Sequence, residues 1–414
     1  MKIVFVCSRY QPYQVGGAEE TVRLLAEGLV RDGGEAVVVS LAPGGKAEER
    51  VIGGVHVYYV PLFNVFTPYD GKSRPAWLRA IWQAAEAWNP VMAHRLVRIV
   101  KRESPDLVHI HNVLGFSCAV WPALARRGWP ILQTLHDHYA ACCNSLMYNN
   151  GKICAERCLR CRVFCRPRLR LSRHVNGLTS VSLRLWERIK LAGSFAGSRQ
   201  ARVIYNCNDE QAIGHPRPGP EPGAPLRIGF LGRIEPVKGL HILLEASERI
   251  GSDHVRVQVG GTGTQAYAEG LRDRFKPPLA NFLGHVTPVD FFKNVDILVM
   301  PSLLEEAAGR VLHEAYSFGV PVIGMRLGGM PELIRDGVTG YLAPAPNVEG
   351  LEASLRRLLD SPPDWLGLSR ACLEEAKRFE FGVIFAEYRD AWNDVLNRHG
   401  AAAKRTQNRL VSAS

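Results

Sequence analysis

Short apolar runs rich in Val and Ile recur along the chain, separated by longer stretches whose apolar residues return every third or fourth position. In the first half the runs at 2–7, 36–40, 55–60, 107–111 and 130–135 predict strands, and 18–31, 76–102 and 117–127 predict helices. In the second half 226–231, 255–259, 296–300 and 320–323 read as strands, with helices near 240–250, 310–318 and 349–360. Buried apolar strands alternating with amphipathic helices predict parallel α/β sheets. The stretch 215–225 places five prolines in eleven residues. Neither a helix nor a central strand tolerates that density, so it reads as a linker. We therefore expect two doubly wound domains, 1–205 and 226–380, joined by a segment at 206–225. Ligands of such sheets bind at the carboxyl ends of the strands, where chemistry should be sought.

Composition narrows the class. Of 414 residues, 46% are hydrophobic and 22% charged, which excludes a disordered, collagenous or coiled-coil chain. No run of 18 apolar residues occurs, so no membrane-spanning helix is expected. The opening Met1–Cys7 run lacks the pattern of a signal peptide, which leads us to expect a cytoplasmic protein. The net charge of +11 is one-sided: residues 1–205 hold 28 basic and 14 acidic side chains, the remainder 23 and 26. An anionic partner on the first half follows, whether nucleic acid, membrane surface or acidic substrate.

The loops after the predicted strands carry the candidate chemistry. Leu226–Leu231 runs into Gly232-Arg233-Ile234-Glu235-Pro236-Val237-Lys238-Gly239, where a guanidinium fork and a mobile ammonium can converge on a diphosphate. A basic surface loop would look the same in isolation. Strand 296–300 leads to Glu306, then Gly309-Arg310-Val311 opening a helix that contains Glu314. Free amides at that opening suit an anion, and a carboxylate beside it suits flanking hydroxyls. An acidic helix start favoured by the dipole is the plainer reading of Glu306 alone. Gly328-Gly329-Met330-Pro331-Glu332 follows the next strand, and Gly16-Gly17-Ala18-Glu19 follows the first. Gly260-Gly261-Thr262-Gly263 is a weak signal, lacking the register of a dinucleotide turn.

Taken in order, Gly16-Gly17-Ala18-Glu19, Gly232-Arg233…Lys238-Gly239, Glu306…Glu314 and Gly328-Gly329…Glu332 resemble the motifs of glycosyltransferase family 4 over about residues 2–395. The resemblance implies the GT-B fold, two Rossmann-like domains facing a cleft, with a helix at 381–398 crossing back to the first. It implies a retaining transfer from a nucleotide-sugar donor, UDP- or GDP-linked, to a saccharide or lipid-linked acceptor bound mainly by the first domain, as in polysaccharide or glycolipid biosynthesis. Arg233 and Lys238 would hold the diphosphate, Glu306 the transferred sugar and Glu314 the ribose. Gly16, Gly17 and the Gly309–Val311 amides would line the donor site, and Glu332 would support the sugar loop. Ala308 stands where the family often has Phe, which opens the sugar pocket. No Asp-x-Asp occurs, so no catalytic metal is expected. A non-catalytic sugar-nucleotide-binding or scaffold protein, and a GT-B epimerase, are the alternatives.

Strand 130–135 ends at His136-Asp137-His138. By the resemblance His136 reaches the donor, and Asp137 could fix a ring or an acceptor hydroxyl; a loop-capping His-Asp pair is the plainer reading. His111 and Asn112 read as acceptor-side residues and His109 as structural. The run Cys154-x3-Cys158-x2-Cys161-x3-Cys165 has the density of a metal site, read as a structural zinc, with an iron–sulfur cluster or free thiols as alternatives. Cys142 fits a cysteine-bearing insertion that some bacterial polysaccharide glycosyltransferases carry. Arg157, Arg160, Arg162, Arg166, Arg168, Arg170 and Arg173 crowd seventeen residues without an acid. They predict a basic face for anionic lipid at the inner membrane surface, or a merely solvated one; no stacking aromatics accompany them, so nucleic acid is not expected. The tail 399–414 is expected to be disordered.

Overall fold

The computed structural model describes residues 1–13, 16–69, 72–149, 151–195, 201–208, 214–263 and 265–411, without the side chains of 402–411. The chain divides into two compact units, one of Met1–Met147, Cys154–Asn206 and Ile384–Ser414, the other of Tyr148–Ile153 and Cys207–Val383.

The first unit is built on an eight-stranded sheet. Its spatial order is Arg202–Val203, Gly177–Ser180, Ile131–Leu135, Leu107–Ile110, Lys2–Val6, Glu35–Leu41, Val55–Val60 and Glu48–Ile52. All neighbours run parallel except the last pair, an antiparallel edge. The central strands Lys2–Val6 and Leu107–Ile110 are buried almost throughout, which is why they read as unbroken apolar runs. Strand order reverses at Lys2–Val6, so a crevice opens where Ser8 meets Asn112, their side chains 3.0 Å apart.

The second unit repeats the plan with six parallel strands, Ala280–Gly284, Val255–Gly260, Leu226–Leu231, Ile297–Met300, Val322–Met325 and Gly340–Ala343. Reversal falls at Leu226–Leu231, whose carboxyl end carries the Gly232–Gly239 loop. Ile228, Val257, Val259, Ile297 and Ile323 lie in its core beneath the helices Leu240–Ile250 and Val348–Asp360.

Several elements differ from the sequence expectation. The helix expected at 76–102 is two, Ala76–Ala87 and Pro90–Glu103. The first ends at Trp88, and Asn89 caps the second, its Oδ1 accepting from the Met92 amide at 3.1 Å ahead of a proline at the first turn. The stretch 214–225 is no free tether. Arg217 Nη1 donates to the Phe292 carbonyl at 2.7 Å, and Gly219 lies against Trp365 so closely that a Cβ there would fall 2.3 Å from the indole. The last helix spans Phe381–Val411, running on through residues expected to be a disordered tail. Alanines at 401–403 favour that continuation.

Candidate active site

In the first unit the residues expected at strand ends come together in a small pocket lined by His111, Asn112, His136 and Asp137. Its floor is a chain of three imidazoles. His136 Nε2 lies 2.9 Å from His111 Nδ1, His111 Nε2 lies 3.3 Å from His109 Nδ1, and His109 Nε2 lies 2.8 Å from Thr134 Oγ1. Trp392, from the last helix, donates its indole N–H to His109 Nδ1 at 3.1 Å. Indole nitrogen is a donor only, so His109 Nδ1 is an acceptor and its proton sits on Nε2. His111 must then present N–H at Nε2 and a lone pair at Nδ1, and His136 donates from Nε2. Donor counting thus leaves His136 Nδ1 as an acceptor.

His111 lines this pocket with both ring nitrogens engaged, Nδ1 by His136 and Nε2 by His109. Asn112 is likewise committed, its Oδ1 accepting from Ser8 Oγ and from the Leu114 amide at 2.8 Å. Asp137 accepts from the Tyr139 amide at 2.7 Å, and burial pushes its carboxyl up to about 6. Burial holds all three imidazoles below the ordinary histidine range, His136 at about 4. Glu86, which sequence reasoning passed over, is fully buried beside this loop. It accepts from the Tyr139 hydroxyl at 2.8 Å, and burial pushes it up to about 7 against the pull of Arg168.

These shifts set an acid response. Unfolding below pH 6.5 lets three histidines protonate that the folded unit keeps neutral, so stability falls with pH. Asp137 and Glu86 oppose this, because their raised values let the folded state hold two protons that unfolded carboxyls release above about pH 4.5. Near pH 5 the difference is about one proton, or about 1.4 kcal/mol per pH unit. Below about pH 4.5 the unfolded carboxyls protonate too, while folded His136 takes up its own proton near pH 4, so the difference climbs only towards two protons, about 2–3 kcal/mol per pH unit. Urea unfolding from pH 7 to 4 should therefore show a shallow loss that steepens below pH 4.5. A flat profile would contradict the neutral imidazole chain.

In the second unit the expected motifs meet through their backbones. Lys238 Nζ pairs with Glu306 Oε1 at 2.5 Å, and Ser302 Oγ donates to the same oxygen at 2.6 Å. Burial would raise the Glu306 carboxyl, but Lys238 and Ser302 outweigh it and hold it below the ordinary range. The turn bearing Lys238 is clamped to the loop bearing Glu306 by Leu303 N–H to Val237 carbonyl at 2.9 Å. Gly329 N–H donates to the Glu306 carbonyl at 2.8 Å, joining residues 23 apart. Arg233 is exposed and ion-paired to Glu235 at 2.8 Å. Gly309 caps the helix Arg310–Ser317, in which Arg310 Nε lies 3.3 Å from Glu314 Oε1, and Glu332 lies in the short helix Met330–Leu333. Gly16 and Gly17 start the helix Gly17–Arg31, while Gln14 and Val15 lie outside the described residues.

The glycine run at 260–263, which looked weak, is part of this construction. Gly261 has φ +128°, and a Cβ there would fall 1.8 Å from the Gly232 carbonyl oxygen. A Cβ on Gly263 would fall 1.9 Å from that of Ile234. Only glycine allows the two loops to stack. The useful signal was glycines after adjacent strands, not a dinucleotide register.

The structure does not gather the four cysteines expected as a metal set. Cys161 and Cys165 cluster not with Cys154 and Cys158 but with Cys143, the three sulfurs lying within 4.8 Å of one another. Cys158 is exposed at the start of the helix Leu159–Phe164, and Cys154 is only half-buried. Arg168 also leaves the expected basic face: it is fully buried. Arg160, Arg162, Arg166, Arg170 and Arg173 stay exposed; the first two lie on a helix that packs against Ala76–Ala87 and are flanked by Leu159 and Val163, 78% and 58% exposed.

Comparison with known proteins places this geometry. The family models "Glycosyltransferase Family 4" and "Glycosyl transferases group 1" match residues 15–211 and 225–361. An uncharacterized 42.6 kDa protein in the cps region of Klebsiella pneumoniae is 27% identical over 81% of this chain and 88% of its own. Glycogen synthase of Mycobacterium tuberculosis is 26% identical over 87% of each. Anabaena HepE, solved with UDP and with UDP-glucose, superposes with TM-scores of 0.70 and 0.68 over 95% of this chain and 100% of its own, at 20% and 19% identity. Two parallel α/β units of the GT-B type, matched in series by both family models, make this chain a member of the family 4, group 1 glycosyltransferases.

Proposed function

We propose that the chain is a retaining, metal-independent transferase that moves a sugar from a UDP-sugar to a saccharide or lipid-linked acceptor during polysaccharide assembly. The observation carrying this reading is the Lys238–Glu306–Ser302 cluster, held on glycine-stacked loops at the strand-order reversal of the second unit. There Arg233 and Lys238 neutralise charge developing on the leaving diphosphate, a role fixed cations perform better in the transition state than in the ground state. Glu306 accepts from hydroxyls of the transferred sugar, and Glu314 from the ribose. The Gly309–Val311 amides line the phosphates, and Glu332 steadies the sugar loop. In the first unit His136 Nδ1 and Asp137 serve as acceptors for substrate hydroxyls. UDP is favoured over GDP by the HepE complexes.

A screen of UDP- and GDP-sugars against saccharide and lipid-linked acceptors, read by mass spectrometry and anomeric NMR, tests this. Expected are transfer from a UDP-sugar, an unchanged anomer, and rates unaffected by brief EDTA. Inversion, or abolition by EDTA with rescue by Mg²⁺, would overturn the mechanism, and no transfer would overturn the function.

No helix among the described residues is long and apolar enough to cross a membrane. We place the acceptor at an anionic lipid surface met by Leu159, Val163, Trp77 and Ile81, all exposed, between Arg79, Arg160 and Arg162. That pairing of apolar and basic groups is the chemistry of an interfacial contact at the inner leaflet. In vesicle flotation, removing Arg160 and Arg162 together should weaken binding to phosphatidylglycerol vesicles about thirtyfold, at about 1 kcal/mol each. Equal binding to neutral vesicles would contradict it.

A further inference from the structure

Beneath the His136 loop the first unit gathers thiols in a way that neither donor nor acceptor chemistry uses. Cys143, Cys161 and Cys165 are buried, with Cys143 and Cys165 sulfurs 3.9 Å apart. Cys142, also buried, places its sulfur 3.8 Å from that of Cys161. A tetrahedral zinc with bonds of about 2.3 Å has ligand sulfurs about 3.8 Å apart, the edge of that tetrahedron. Bonded disulfides lie far closer, at about 2.05 Å. The sulfurs of a four-iron cluster each reach a different iron and stand farther apart, so Cys143, Cys161 and Cys165, all within 4.8 Å of one another, suit one ion, with Cys142 approaching from the Cys161 side.

The local fold explains the convergence. Cys161 and Cys165 are four residues apart on one helical turn, closed by Cys165 N–H to the Cys161 carbonyl at 3.1 Å, so their side chains share a face. Cys142 and Cys143 arrive from the loop after His136. The surroundings also suit a thiolate centre. The Cys143 amide lies 3.4 Å from Cys161 Sγ as a donor, and Arg168 Nη1 lies 3.9 Å from Cys165 Sγ. Arg168 is fully buried and contacts the Tyr139 and Cys142 carbonyls.

We propose that the first unit binds one divalent metal ion, zinc by the softness of its ligands, on Cys143, Cys161 and Cys165 with Cys142 as the fourth thiolate. Four thiols release four protons as the ion binds, leaving a tetrathiolate centre of charge −2 that the buried Arg168 partly offsets. The ion is structural: all four positions are taken by protein, with none open to substrate. It ties the helices after Cys158 to the chain that leaves His136, fixing the imidazole from behind.

The full-length chain, purified under reducing conditions without chelator, should carry about one zinc by elemental analysis. Metal-free reduced protein titrated with Co²⁺ should develop sulfur-to-cobalt and tetrahedral ligand-field bands that saturate at about one equivalent. Replacing Cys142, Cys143, Cys161 or Cys165 by Ser should each weaken Co²⁺ binding more than about a hundredfold, beyond the loss caused by removing a group that only hydrogen-bonds to a ligand. Cys154→Ser and Cys158→Ser should leave the spectrum unchanged. The wild-type titration needs no variant to fold. Less than about 0.2 equivalents of metal together with a silent Co²⁺ titration would overturn the proposal. So would iron with inorganic sulfide, loss of the bands in Cys158→Ser, or an unchanged spectrum in Cys142→Ser. Elemental analysis and the cobalt spectrum read no transfer, so failure here is separable from failure of the transferase reading.

Discussion

Glu306→Ala is expected to bind UDP more tightly than the parent protein while losing about a thousandfold in transfer. The two effects share one cause. In the free protein Lys238 is spent on Glu306, at 2.5 Å, with Ser302 on the same oxygen. An incoming diphosphate must draw Lys238 away, and the carboxylate beside it repels the phosphate. Deleting the carboxylate frees the ammonium and removes that repulsion, so UDP affinity should rise several-fold. The sugar then lacks its hydroxyl acceptor, and an interaction made chiefly in the transition state is lost. Deleting one such preorganised contact costs about 2.7–4 kcal/mol, or a hundred- to a thousandfold in rate. Lys238→Ala should do the reverse to UDP, weakening it, with a similar loss of transfer. Its Glu306 carboxyl, deprived of the ammonium, should rise under burial. Isothermal titration with UDP and steady-state transfer rates separate the cases. Weaker UDP binding in Glu306→Ala would show that the ion pair does not compete with the donor.

The motifs that sequence made legible are those whose chemistry is local. Gly232 to Gly239, Glu306 and Gly328-Gly329 could be found because a strand, a glycine turn and a helix follow one another within a dozen residues. What joins them could not. The Gly329–Glu306 bond and the stacking of Gly261 on Gly232 depend on which strands lie side by side, and alternation of strand and helix does not give strand order. The same limit hid Trp392, which sets the proton positions of the imidazole chain from 283 residues away.

The cysteines show a different failure. Spacing arithmetic favoured the four residues closest in sequence, but a helical turn and a chain reversal choose ligands by direction. Cys161 and Cys165 share one helical face and meet Cys143 from the loop after His136, while Cys158 is exposed. Arg168 misled in the same way, since composition counts a cation without saying whether it faces water. The break at Asn89-Pro90, by contrast, was legible as a cap followed by proline and was hidden only by the apolar periodicity continuing on both sides.

Arg168→Ala is expected to cost the largest share of stability of any single change outside the sheet cores, about 3–5 kcal/mol. Its guanidinium has no exposure to solvent. Nη1 donates to the Tyr139 carbonyl at 2.8 Å and to that of Cys142 at 3.2 Å, Nη2 donates to Gln83 Oε1 at 3.2 Å, and the plane stacks 3.9 Å over the Tyr139 ring. Truncation leaves these buried acceptors without their donor and opens a cavity the size of the side chain. It also removes the cation that lowers Glu86, whose carboxyl should climb from about 7 and hold its proton across neutral pH. Arg168→Lys keeps the charge but not the fork, so one ammonium cannot serve two carbonyls and Gln83 while lying flat on Tyr139, and about half of the loss should remain. Exposed Arg170→Ala, two residues on, should stay within about 0.5 kcal/mol of the parent protein. Adding Glu86→Gln to Arg168→Ala should cost less than the two singles together by about 1–3 kcal/mol, because the second change removes a carboxyl the first has already deprived of its cation. Urea unfolding followed by tryptophan fluorescence checks all four, and equal losses for Arg168→Ala and Arg170→Ala would mean that this buried cation does not organise the loop beneath the site.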